Sequence, residues 1–327
     1  MRFATLDDGS LDGRMVVVSR DGLRATDAAP IASSLIAALQ NWRAVEPGLT
    51  HLCGRLEAGA VASFAFDPAR CLAPLPRAPQ WLDGSAFLNH GQLMERAFGA
   101  PPIPDFETVP VMYQGASDDF LGPCADSPFV NEDDGVDCEG EFGIVVDDTP
   151  MATTAAEAAA HVRLIVQIND WSLRKIGAYE MPRGFGFLQA KPSTAFAPLA
   201  VTPDELGEGW REGRVHLRLN VLRNGERLGS VSGAEMAFTF PQLIAHAART
   251  RRLKAGAIIG SGTVSNADRA AGSSCVAEAR VIEKIDLGES RTPFLKFGDR
   301  IEMEAEHEDG RRGPFGRIDQ RVTLAPR

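Results

Sequence analysis

The sequence is poor in the features that mark several protein classes. Its 327 residues include only five cysteines, Cys53, Cys71, Cys124, Cys138 and Cys275, an odd number with no CxxC spacing. That argues against a disulfide framework and against a zinc–thiolate site. No apolar run approaches the ~20 residues that a membrane-spanning helix needs. Met1-Arg2-Phe3-Ala4-Thr5 lacks the apolar core of a signal peptide, so a cytoplasmic location is expected. Basic residues are outnumbered, 34 Lys plus Arg against 44 Asp plus Glu, for a net charge of −10. Nucleic-acid surfaces are normally basic, so no such partner is expected. A small anionic substrate is still allowed, because a local cation can override the global sign. The sequence also lacks GxxxxGK[ST] and GxSxG, which removes a P-loop and a nucleophile elbow. Arg183-Gly184-Phe185-Gly186-Phe187-Leu188 imitates an RNA-recognition motif, but Ala190 stands where its closing aromatic belongs. A glycine-rich loop beside a site, with Gly184 and Gly186 as hinges, is the better account.

What is present describes an ordinary globular chain, 44% hydrophobic and 24% charged, long enough for a large domain and a smaller one. Asp8-Gly9 and Asp21-Gly22 supply turns around the strand Met15–Val18. The spacing of Ile31, Leu35, Ala38 and Trp42 predicts a helix over about 30–44. Pro74, Pro76 and Pro79 exclude regular structure over 72–79, which places a boundary there between residues 1–75 and 76–327. Beyond it, a strand is expected over 139–146, ended by Asp147-Asp148. Thr154 and Glu157 have capping-box spacing and predict a helix running through Val162 and Ile165 toward Asp170. Residues 215–221 alternate like a strand ahead of the hairpin signal Asn224-Gly225. One more helix is expected over 241–250, in a region otherwise rich in strands.

Chemistry enters with Glu139 and Glu141. Residues two apart on a strand share a face, where two carboxylates repel. Such a pair is either a solvated sheet face or a site for a hard divalent cation bound by oxygen. Asp170, late in the expected apolar helix, sits where the helix dipole disfavours an anion. Asn169-Asp170-Trp171-Ser172 either ends the helix as a cap or contributes to the same cation site.

Taken together, these segments resemble the fumarylacetoacetate hydrolase family. The resemblance rests on Asp137-Cys138-Glu139-Gly140-Glu141 followed by an apolar strand, then on Asn169-Asp170-Trp171-Ser172-Leu173-Arg174. It continues in Asp83 seven residues before His90, in Met112-Tyr113-Gln114-Gly115, in Gln189-Ala190-Lys191-Pro192-Ser193, and in Gly260-Ser261-Gly262-Thr263-Val264-Ser265. It covers residues 80 to 320. The resemblance implies a mostly β (α+β) fold, a mixed β-roll or sandwich with a small β-rich N-terminal domain, and a homodimer. It implies Asp83, Glu139, Glu141 and Asp170 as metal ligands, and an all-carboxylate set selects Mg²⁺, Ca²⁺ or Mn²⁺. It implies His90 as general base, Glu278 as its orienting partner, Lys191 as cationic stabiliser of an oxyanion, and Tyr113 and Thr263 as substrate contacts. His51, His161, His216, His246 and His307 match no motif and read as structural. Some family hydrolases carry a glutamine where Gly177 stands, and an acidic residue where Lys175 stands. Hydrolysis of a carbon–carbon bond in a β-diketo acid, such as fumarylacetoacetate or an acylpyruvate, is the implied reaction. Oxaloacetate-type decarboxylation, hydration or isomerisation of an unsaturated oxo acid, and an inactive metal-binding homologue are the alternatives.

Overall fold

The computed structural model describes residues 1–98 and 103–326. Its centre is the antiparallel pair Gly140–Val146 and Val162–Asn169, in which Ile165 faces Ile144 and Ile168 faces Glu141. Both strands are apolar and almost fully buried, as expected of strands covered on both faces. On one side the sheet grows through Ile258–Gly260 (antiparallel), then Trp81–Gly84 (parallel), and ends at the edge strand Met112–Gly115. On the other it grows through Ala200–Val201 to Arg2–Leu6, Arg14–Val18, Arg24–Asp27 and Phe64–Ala65. The N-terminal strands therefore extend the sheet of the main body, with Arg2 opposite Val201 and Phe3 opposite Ala200.

A second, five-stranded sheet has the order Glu226–Ser232, Arg218–Arg223, Arg300–Glu306, Arg312–Leu324, Ser127–Phe129. Its inward residues Leu219, Val221, Met303, Phe315 and Ile318 join Phe142 and Ile144 of the first sheet in one core. The hairpin at Asn224-Gly225 forms, with both residues at positive φ, as a tight primed turn requires. The architecture is the mixed, strand-rich fold expected. Among the described residues, no helix is long and apolar enough to cross a membrane.

Two helical expectations change, while the helix expected over 241–250 forms as Phe240–Ala247. Ser34 caps a short helix, Leu35–Gln40, and a separate helix, Trp42–Glu57, follows with Pro47 in its second turn. The capping box Thr154/Glu157 is present, yet its helix stops at Ala158 and one 3₁₀ turn follows to His161. From Val162 the chain is a strand, so Asp170 follows a strand end and no helix dipole acts on it there. The reason is tertiary. Val162-Arg163-Leu164-Ile165-Val166 is β-branched and apolar, and pairing on both edges satisfies its backbone groups in the core. The strand-rich reading of the C-terminal third overlooked the helix Val276–Leu287, as the reading of the middle overlooked Leu88–Phe98.

Candidate metal centre and its neighbours

Three carboxylates converge from three strand positions. Asp83 belongs to Trp81–Gly84, Glu141 to Gly140–Val146, and Asp170 follows Val162–Asn169. Each offers an oxygen within 4.8 Å of the other two, and all three are buried. Neither oxygen of Glu141 has a hydrogen-bond partner among the described residues, although the side chain is 0% exposed. An unpaired buried carboxylate costs several kcal/mol unless it is protonated or meets a cation. Burial, and then the Asp170 carboxylate, push Asp83 up to about 8. Burial, and then Asp83, Asp170 and Glu139, push Glu141 well above the usual carboxylate range. A divalent cation fits this donor set, since hard oxygen ligands of like charge are what such an ion needs and what it would relieve.

Backbone geometry brings Asp83 close to the Gly260–Thr263 turn. Gly262 donates its N–H to Asp83 Oδ1 at 3.0 Å. Gly262 has φ +76°, and a Cβ there would lie 2.2 Å from the Gly84 carbonyl oxygen. A Cβ on Gly260 would lie 2.4 Å from Asp83 Oδ1. Both positions therefore require glycine. Thr263 is buried in the same turn.

Glu139 lies beside the triad and turns to cations of the protein. Arg174 Nη2 is 2.7 Å from Glu139 Oε1, and Lys191 Nζ bonds Glu139 Oε2. Burial alone would raise Glu139, but Arg174 and Lys191 outweigh it and hold the carboxyl well below the usual range. Lys191 also donates to Asp170 Oδ2 at 2.5 Å. Burial would lower its pKa, yet Asp170 and Glu139 hold the ammonium above its ordinary value. The Tyr113 hydroxyl donates to the same Asp170 oxygen at 2.5 Å, and Thr194 donates to the other at 2.7 Å. Burial, followed by Asp170, keeps Tyr113 protonated well beyond its ordinary range.

The second feature is a histidine–carboxylate pair. His90 is in the helix Leu88–Phe98 and Glu278 in the first turn of Val276–Leu287, and His90 Nδ1 is 2.8 Å from Glu278 Oε2. Leu93 and Val281, with Met94 and Ile282 against them, pack the two helices together. Asn89 ties the start of the first helix to the Ser265 hydroxyl (2.8 Å) and the Asn266 carbonyl (2.9 Å). Asp137 accepts from the amides of Val276 (2.7 Å) and Ala277 (2.9 Å) and from Arg174 Nε (2.7 Å). One buried carboxylate thus fixes the helix that carries Glu278 to the strand that leads to Glu139.

All nine residues singled out in the sequence lie in this region. Asp83, Glu141 and Asp170 meet directly; Glu139 and Lys191 are bonded to each other; His90 meets Glu278; Tyr113 touches Asp170; Thr263 is in the turn that binds Asp83. Sequence reasoning did not single out Asp137, Arg174 or Thr194 for a role. For Arg174 a signal existed, a basic residue four places after Asp170, but Thr194 is a lone hydroxyl with nothing to distinguish it.

Residues 80–323 match the family described as fumarylacetoacetate (FAA) hydrolase C-terminal, and residues 1–77 match fumarylacetoacetase N-terminal domain 2. The chain belongs to the fumarylacetoacetate hydrolase family. It is 28% identical over 211 residues to a 2,4-didehydro-3-deoxy-L-rhamnonate hydrolase of Sphingomonas sp. (strain SKA58), covering 63% of each chain. It is 25% identical over 268 residues to a fumarylacetoacetase of Caenorhabditis elegans, covering 68% of this chain and 64% of that one. The match thus spans less than two thirds of the length of these relatives. A maleylpyruvate hydrolase of Sphingobium sp. SYK-6, solved with manganese(II) and pyruvate, superposes with a TM-score of 0.68 at 16% identity over 100% of both chains, which shows the shared fold.

Proposed function

We propose that this protein is a divalent-cation-dependent hydrolase that cleaves a carbon–carbon bond in a β-diketo acid, such as fumarylacetoacetate or an acylpyruvate. The observation that carries the reading is the buried carboxylate cluster, with both Glu141 oxygens unpartnered among the described residues, beside a histidine–glutamate pair. Asp83, Glu141 and Asp170 would hold Mg²⁺, Ca²⁺ or Mn²⁺, with Glu139 as a further ligand. Such an ion supplies Lewis-acid polarisation of the substrate's oxygens. The names of the relatives, hydrolases of keto and dehydro acids, agree in substrate class.

The protein's own groups divide the remaining work. Glu278 holds His90 through Nδ1, which leaves Nε2 for a water molecule. His90 takes a proton from that water as its oxygen attacks the distal carbonyl carbon. The Lys191 ammonium stabilises the negative charge that develops on the carbonyl oxygen. As the carbon–carbon bond breaks, its electron pair goes to the leaving carbon, and the proton on His90 returns to that carbon. The products are a carboxylic acid and a shorter oxo acid. Tyr113 and Thr263 would contact the substrate, and two chains would form a homodimer, which sedimentation measures.

The test pairs binding with turnover. Calorimetry with Mn²⁺ should find one site per chain, lost in Glu141→Ala. A screen of acylpyruvates, fumarylacetoacetate and oxaloacetate should show cation-dependent hydrolysis of a diketo acid. Unchanged Mn²⁺ affinity in Glu141→Ala would refute the ligand set, and exclusive decarboxylation of oxaloacetate would refute the reaction.

A further inference from the structure

Between Arg174 and Lys191 the chain leaves the site, forms the helix Arg174–Glu180 and a 3₁₀ turn Met181–Arg183, and returns through an exposed loop. Phe187 is half-buried and Ala190 buried, but apolar burial does not hold the rest of that loop down. Phe185 is 99% exposed and Leu188 85%. One carboxylate gathers it instead. Glu180 Oε2 accepts the amides of Leu188 (3.1 Å) and Ala190 (3.1 Å), and Oε1 accepts that of Gln189 (2.9 Å). Burial would raise Glu180, yet these amides hold its carboxyl below the usual range. The last of the three amides belongs to the residue directly before Lys191. The Ala190 carbonyl is held too, by the Leu173 amide at 2.8 Å. The Ala190 residue is thus pinned at both backbone groups, by the end of the helix and by the strand that follows Asp170.

Two side chains that reach the site lie beside this anchorage. Lys191 bridges Glu139 and Asp170. The Phe187 ring meets Tyr113 edge-on, with centroids 5.3 Å apart, and Tyr113 in turn bonds Asp170.

We propose that Glu180 is a positioning residue: its carboxylate closes the 181–190 loop and thereby sets the Lys191 ammonium between Glu139 and Asp170. Glu180 touches none of the carboxylates itself and acts through Lys191. The kinetic arm of this inference rests on the function proposed above; its structural arms do not.

The experiment is a double-mutant cycle between Glu180→Ala and Lys191→Met, with Glu180→Gln as the conservative variant. Hydrogen exchange of the peptide covering 188–191 reads the clamp directly. Losing a charge-assisted acceptor should speed exchange there about 10–100-fold in Glu180→Ala, with Glu180→Gln between that and wild type. Mn²⁺ titration reads the effect on Lys191 without substrate. The ammonium occupies carboxylate oxygens, so Lys191→Met should tighten Mn²⁺ binding, and Glu180→Ala should move it in the same direction by less. In the Lys191→Met background Glu180→Ala should change neither Mn²⁺ affinity nor kcat, because residues acting through one contact are not additive. In the wild-type background it should lower kcat about 10–100-fold, the scale of a small misplacement of a catalytic group. Additive effects, or weaker Mn²⁺ binding in Glu180→Ala, would reduce Glu180 to a loop staple and overturn the inference. Wild-type exchange at 188–191 as fast as in Glu180→Ala would also overturn it. If wild type turns over no diketo acid, the proposed function fails while the exchange and Mn²⁺ arms still decide this one. If Glu180→Ala does not fold, the same cycle is read with Glu180→Gln.

Discussion

The two halves of the site are built differently. Asp83, Glu141 and Asp170 stand on or directly after strands of one sheet, where ladders on both sides fix the backbone. His90, Glu278 and Lys191 come from two helices and the end of an exposed loop, placed by side-chain contacts such as Leu93 with Val281 and by the Glu180 clamp. Like charges held close together need a backbone that cannot relax away from their repulsion, and a sheet interior provides it. The base and the ammonium are instead placed by contacts between side chains and by a carboxylate clamp, so each depends on a few specific residues.

The largest expected effect breaks the strand-borne half. Glu141→Ala removes two buried oxygens that accept no hydrogen bond from N–H or hydroxyl groups among the described residues, and should abolish both Mn²⁺ binding and turnover while the fold survives, as circular dichroism and calorimetry would show. Retained turnover would show that the sheet half is not the cation site. In the helix-borne half, His90→Ala should lower kcat about 10²–10⁴-fold with Mn²⁺ affinity intact. Near wild-type rates would assign the base elsewhere.

Lys191 belongs to both halves, since it comes from the loop and bonds the strand carboxylates. Lys191→Met should raise the barrier by about 2.7–4 kcal/mol if the ammonium acts on a developing oxyanion, with kcat and kcat/KM falling together. A rise in KM alone would make it a substrate anchor.

The smallest effect concerns the cation-free protein. Asp83 titrates at about 8 in the folded chain, above its value of 3.8 when exposed. Between those values the folded state keeps a proton that the unfolded state releases, so the contribution of Asp83 to stability falls as pH rises through this window, and the raised Glu141 acts in the same direction. Cation-free protein should therefore melt higher at pH 6 than at pH 8, and saturating Mn²⁺ should reduce or reverse that difference. A cation-free melting temperature that rises from pH 6 to pH 8 would contradict a raised Asp83 carboxyl.

Asp170 owes its place to two kinds of interaction of different range. A capping box at Thr154 and Glu157 is a local device, and it forms as its spacing predicts. The helix it starts ends after a few residues, because Val162–Asn169 gains more from two strand partners than from continuing a helix. Local spacing sets where a helix can begin; only the partners available in the core set where it stops. The Glu139 and Glu141 spacing was informative for the same reason that it is local. Two residues apart on extended chain share a side; here Glu139 directly precedes the strand Gly140–Val146, and both side chains are buried.

Other features lie beyond local pattern. His90 and Glu278 are 188 positions apart, and Arg174 and Asp137 are 37 apart. Nothing in either neighbourhood of the chain specifies those distances. By itself the sequence determined a strand-rich chain, its hairpin turns, and a set of acidic motifs whose resemblance named the family. Tertiary structure decided that three of four candidate carboxylates meet while Glu139 binds Arg174 and Lys191, and that one glutamate outside the cluster anchors the loop before Lys191. The physical reason is range. Turn preferences, capping and side-chain alternation act over a few residues, whereas burial, desolvation and charge pairing act between groups that only the folded chain brings together.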